Sequence, residues 1–249
     1  MIEKLERVVW LLTPLAQVAV LVTLYARRLL REFKIFALFL AGDVIISALR
    51  WSLGGSLHAT AYRTVWVITE PFLLVLQTLV IYEFYQLLYR AYPGIHAFAR
   101  ALLLIAVAVA LVVTFGTVQL DVGRVTWRFP DVQRLFVVKR VVSSLLGLLM
   151  FTTMAFFPRA RSAANLRLHG WLLAVLFIAA AGGFFGINFG LASPWMGVLF
   201  MSAQLACFVL WAAGLRAPYV KEEQPSKESI ARVERLNQDF AFLAKWLSR

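Results

Sequence analysis

Charge is scarce in this sequence. Only 15% of its 249 residues are Asp, Glu, Lys or Arg, against roughly a quarter in an ordinary soluble domain. Hydrophobic residues make up 61% and the mean hydropathy is +0.78. A soluble core of this length cannot hide so much apolar surface, whereas a bilayer can. Cysteine is nearly absent. Cys207 stands alone in an apolar run, which excludes a disulfide framework and a cysteine metal site. Histidine is rare too. His58, His96 and His169 all fall in or beside expected loops, so no helix is expected to offer a ligand to a buried haem or metal. The last apolar run lacks a lysine for a retinal Schiff base. Gly42-Asp43 faintly suggests an intramembrane aspartyl protease, but no second aspartate lies inside an apolar run. No serine elbow, Walker loop or dinucleotide loop is present. These absences weigh against an enzyme, and neither cofactor nor metal is expected.

What the sequence does contain is seven long apolar runs: residues 8–25, 35–53, 64–88, 101–118, 135–157, 171–191 and 195–215. Each is close to the roughly 20 residues that a helix needs to cross a bilayer. The expected fold is all-α, a polytopic seven-transmembrane-helix bundle over residues 1–218. A polar linker follows at 219–229. Beyond it Ile230, Val233, Leu236, Phe240, Leu243 and Leu247 recur every three or four positions, which predicts a C-terminal amphipathic helix over 230–249. That helix either lies on the inner leaflet or pairs with a partner. Run 8–25 follows Lys4 and Arg7 as a signal peptide does. It is long for that role and lacks a small-residue cleavage pattern, so it reads as the first membrane helix.

The basic excess, a net charge of +12, would suggest nucleic acid in a soluble chain. Here Lys and Arg gather at the ends of the apolar runs, so nucleic acid is excluded as a partner. The expected partners are the lipid bilayer with its anionic headgroups and a second copy or another membrane protein. Arg27, Arg28, Arg31, Lys34, Arg90, Arg100, Arg159, Arg161, Arg167 and the seven basic residues from Arg216 onward fall on one side. That bias predicts a multi-pass inner-membrane protein with its N-terminus outside and its C-terminus in the cytoplasm.

Charges inside membrane helices are costly, and usually face the bundle interior in pairs. Asp43 and Arg50 lie seven residues apart on one helix face, and Glu70 and Gln77 share a face in the same way. Lys139 and Arg140 stand near the start of run 135–157. Asp43, Arg50, Glu70, Lys139 and Arg140 together read as one cluster opening outward. It is either a pocket for an anionic or zwitterionic ligand or an ion-pair network that holds helices in register. Gly182, Gly186 and Gly190 make two consecutive GxxxG steps, a helix-packing signal. Gln17, Asn188 and Gln204 are candidates for hydrogen bonds between helices. Thr13-Pro14 and Glu70-Pro71 are sites where a helix can kink.

Run 64–88 closes with Val80-Ile81-Tyr82-Glu83, before the basic, proline-containing stretch Tyr89-Arg90-Ala91-Tyr92-Pro93-Gly94. The last run carries Leu210-Trp211-Ala212-Ala213 ahead of the tail. In these features the chain resembles a group of uncharacterised seven-helix bacterial integral membrane proteins. The resemblance implies the same fold and no particular activity. Glu83 itself is expected to pair with Arg27, Arg28 or Arg90 as a clamp. The function expected from the whole pattern is a membrane sensor or signal-coupling module. The alternatives are an accessory subunit of a larger membrane complex and a small transporter.

Overall fold

The computed structural model describes residues 2–54, 59–88, 105, 108, 109, 112, 130–156, 164–188 and 194–216. Six long helices dominate: α1 (Ile2–Ala26), α2 (Lys34–Gly54), α3 (Ala59–Leu88), α4 (Pro130–Phe156), α5 (Ala164–Asn188) and α6 (Pro194–Gly214). A one-turn 3₁₀ segment, Leu29–Arg31, links α1 to α2. The connection turns sharply at Arg28, which holds a left-handed φ of 58°. Among the described residues there is no strand, and all six helices are long and apolar enough to cross a membrane. The protein is therefore all-helical and has the character of a multi-pass membrane protein. The expected fourth run, the polar linker and the amphipathic tail helix lie outside the described residues, apart from Ile105, Ala108, Val109 and Val112, which are helical and exposed.

Several helices begin earlier than the apolar runs do. α3 starts five residues and α5 seven residues ahead of expectation. Polar residues at a membrane helix end meet headgroups and water, so the backbone winds on past the apolar limit. Pro14 and Pro71 both sit within continuous helices.

The helices close into a ring in which each touches the next and α6 returns to α1. Side-chain pairs fix their directions. Gln17 meets Asp43 and Trp10 meets Trp51, so α1 and α2 run antiparallel. Arg50 meets Glu70 while the amide of Ile35 meets Glu83, so α2 and α3 do too. α4–α5 and α5–α6 follow the same rule through Phe136–Phe184 with Gly170–Met154, and Phe184–Phe200 with Asn165–Arg216. α3 and α4 break it. Glu70 meets Lys139 and Tyr85 meets Thr153, so these two neighbours run parallel. α1 and α6 are parallel as well, since Glu6 lies beside Gly197 and Thr23 beside Ala212. Below, the near end is where α1 begins and the far end is where α6 finishes.

Large apolar side chains such as Leu15, Ile45, Ile68 and Leu199 point away from the bundle and are more than half exposed. The interior is packed at the far end by Leu24, Phe36, Leu40, Phe84, Leu173 and Trp211. An apolar exterior around an apolar core suits lipid as the solvent.

Glycines set the closest helix approaches. A Cβ on Gly147 would touch Ile178, one on Gly183 would touch Phe200, and one on Gly186 would press on Met196. Gly182 has nothing within 4 Å, and Gly190 lies outside the described residues. The expected Gly182–Gly186–Gly190 seam is therefore replaced, over its described part, by Gly183 and Gly186 against α6. The helical rotation between positions 182 and 183 decides which glycine faces the neighbour.

Candidate functional site

Three helices bring ionised side chains together at the near end. Glu70 on α3 sits between two cations. Its Oε1 lies 2.7 Å from Arg50 Nη1 of α2, and its Oε2 accepts from Lys139 Nζ of α4. The three side chains are 4%, 12% and 15% exposed. Arg50 also donates from Nη2 to Thr69 Oγ1 at 2.5 Å, and Thr69 in turn donates to the Val65 carbonyl. Arg50 Nε is buried and has no partner among the described residues. One carboxylate thus crosslinks three helices where hydrocarbon would otherwise surround it, which is how a membrane interior tolerates charge.

Aromatic rings wall this cluster. Trp66 lies one turn before Glu70, with the Arg50 guanidinium 5.8 Å and the Lys139 ammonium 5.7 Å from its ring centroid. Lys139 also stands 4.8 Å over Phe184 of α5. Phe136 bridges the two rings at 5.2 and 5.8 Å. Ring faces carry negative potential, so they stabilise cations that have lost water. These aromatics went unnoticed in the sequence. The signal was present: Trp66 precedes Glu70 by four residues and Phe136 precedes Lys139 by three, which puts each ring on its charge's face.

Asp43 sits one layer deeper. Gln17 of α1 donates from Nε2 to Asp43 Oδ2 at 2.6 Å. Asp43 interacts electrostatically with Lys139, Glu70 and Arg50. Four of the five expected residues therefore belong to one electrostatic group. Arg140 is partly buried next to Lys139 and has interactions of its own. Gln17, expected only to join helices, is the direct partner of Asp43.

The far end is organised differently. Glu83, also on α3, accepts hydrogen bonds from the amides of Ile35 and Phe36 at 2.8 and 2.9 Å. Among the described residues Glu83 meets the start of α2 rather than Arg27 or Arg28, because the first amides there lack carbonyl partners and attract an anion; Arg90 lies outside the described residues. Asn165 of α5 does the reverse for α6. It donates to the Arg216 carbonyl at 2.7 Å and accepts from the Arg216 amide at 2.8 Å. His169 corrects a further expectation. It lies within α5 and is 1% exposed. Phe33, Phe36, Phe84 and Trp211 surround it, with centroids 4.5–6.2 Å away. Both its ring nitrogens lack a hydrogen-bond partner among the described residues. The earlier start of α5 carries it from the expected loop into the core. His58 and His96 lie outside the described residues. Among those residues no group of three or more His, Cys, Asp or Glu is placed to hold a metal.

No protein-family model, curated protein or solved structure matches the chain.

Proposed function

We propose that this protein is a seven-crossing membrane sensor. Its near end faces outside and holds a small-ligand site, and its far end faces the cytoplasm and carries the readout through the C-terminal tail. The observation that carries this reading is the position of Glu70, which joins Arg50 and Lys139 across three helices among aromatic rings. An ion pair made of side chains can exchange partners. An incoming anion draws on donors of the same two cations that Glu70 leaves open, and a zwitterion engages both signs. Either changes what holds α2, α3 and α4 together. α2 and α3 are joined again at the far end by Glu83, so a shift of one against the other at the near end reaches the cytoplasmic side.

The seventh crossing is supported by helix direction. α3 and α4 run parallel, which supports a return crossing between Leu88 and Pro130 as part of this reading. The apolar run 101–118 lies in that interval, and an odd number of crossings agrees with the parallel run of α1 and α6. The Lys/Arg bias supports a cytoplasmic C-terminus in a bacterial inner membrane. The resemblance to seven-helix bacterial membrane proteins belongs to the same proposal.

Two measurements test it. Reporter fusions at the C-terminus are expected to be active only in the cytoplasm, and periplasmic activity contradicts the orientation. Benzoate, a small carboxylate with an apolar ring, is expected to raise the thermal midpoint of the wild-type protein in detergent. The Lys139→Ala/Arg140→Ala variant is expected to fold without that response. Loss of the folded variant, with no benzoate effect on the wild type, identifies the cluster as an ion-pair network alone.

A further inference from the structure

The formal charges of the near-end cluster depend on one group. Arg50 and Lys139 contribute two positive charges and Glu70 one negative charge, and these three are in direct contact. Asp43 makes no direct ion pair with them, yet interacts with all three electrostatically. With Asp43 ionised, the four charges cancel. With Asp43 protonated, the site holds one uncompensated positive charge in a low-dielectric setting, and an anion would neutralise it.

The partner of Asp43 is suited to both states. A lysine or arginine there would hold the carboxylate ionised. Gln17 is instead an amide, with an N–H₂ donor and a carbonyl acceptor at opposite corners. Its N–H serves a carboxylate, as in the structure at 2.6 Å. Turned over, its carbonyl accepts from a carboxylic acid, and the two ends are nearly isosteric. Gln17 is 1% exposed and its Oε1 has no partner among the described residues, so that acceptor is not held in another bond.

The described groups that act on Asp43 come from four helices. α1 presents Gln17, α2 Arg50, α3 Glu70 and α4 Lys139, while Arg140 has interactions of its own. Arg31 and Glu32, in the short turn before α2, lie about 16 Å or more away along the helix axis.

The anion's seat has donors to spare. Arg50 spends Nη1 on Glu70 and Nη2 on Thr69, leaving Nε. The Lys139 ammonium has three hydrogens, one of them directed at Glu70. Trp66, Phe136 and Phe184 supply an apolar wall beside these donors. The matching ligand is a carboxylate monoanion with a small apolar body.

We infer that Asp43 accepts a proton when such an anion binds between Arg50 and Lys139, so that one proton and one anion are taken up together. This rests on reading the cluster as a ligand site. Linkage makes the coupling reciprocal. Anion binding favours the protonated carboxyl, and affinity rises as pH falls, by up to about tenfold per pH unit where Asp43 titrates.

The test is calorimetric titration of the full-length wild-type protein with benzoate, in buffers of different ionisation enthalpy, which counts protons. About one proton taken up per benzoate is expected. Asp43→Asn is expected to bind benzoate with no proton uptake and no pH dependence. Wild-type binding with a proton count of zero overturns the inference while the ligand-site reading stands. Proton uptake that persists in Asp43→Asn overturns the assignment to Asp43. No benzoate binding at any pH overturns both. Where Asp43→Asn fails to fold, the wild-type count decides whether a proton is taken up at all, and a count of zero overturns the inference.

Discussion

Two buried carboxylates on one helix, Glu70 and Glu83, are held in opposite ways. They stand thirteen residues apart on α3, about 20 Å along its axis. Glu70 faces the ends of two flexible side chains from α2 and α4. Glu83 faces two backbone amides at the start of α2. Side-chain cations can swing toward another anion, whereas amides in a helix cannot leave it. The near end is therefore the adaptable part of the bundle, and the far end is its fixed frame. Asn165, which ties the end of α6 to the start of α5, belongs to the same frame. In both places a side chain satisfies backbone groups that a helix terminus leaves open.

Glu70→Gln is expected to have the largest effect at the near end. It removes the carboxylate that, among the described residues, directly contacts both Arg50 and Lys139, leaving buried cations without that counter-charge. The expected loss is about 3–5 kcal/mol of stability, as for other broken buried pairs, read by reversible unfolding in detergent. A packing change at the far end comes next. A Cβ at Gly170 would sit 2.5 Å from Met154 Sδ and 2.8 Å from the Phe84 ring, inside the fixed frame. Gly170→Ala is expected to cost about 1–3 kcal/mol by overpacking, in the same assay. Glu83→Gln keeps one acceptor for the α2 amides but loses the charge. It is expected to cost about 1–3 kcal/mol and to leave any benzoate response at the near end intact. The smallest effect belongs to Gly182→Ala. With open space around that position, the change is expected to stay within about 0.5 kcal/mol.

Much of this contrast can be traced back to the sequence, and the gaps have physical causes. Asp43 and Arg50 share a face because seven residues make two turns of helix. Glu70 and Lys139 lie at similar depths because both follow the start of their apolar runs by a few residues. Those regularities place Asp43, Arg50, Glu70 and Lys139 on facing helix surfaces at the near end. Apolar runs locate the hydrocarbon boundary but not the helix end, so they start α5 too late and leave His169 in or beside a loop. A lone glutamate near basic residues suggests an arginine partner. That the first turn of α2 offers its amides at the same point depends on how α2 and α3 cross, which no local pattern encodes. Gly182 was chosen over Gly183 because spacing reveals a small-residue stripe without revealing which side meets α6. The parallel run of α3 and α4 became visible only when two contacts, Glu70–Lys139 and Tyr85–Thr153, were read in order.

A ligand at the adaptable end is expected to be felt at the fixed one. Amide hydrogen exchange on the full-length protein, with and without benzoate, tests it most directly. Slower exchange is expected around Arg50, Trp66–Glu70 and Lys139, together with a change at Ile35, Phe36 and Arg216. Benzoate protection confined to the near end, with the far-end amides unaltered, would contradict it.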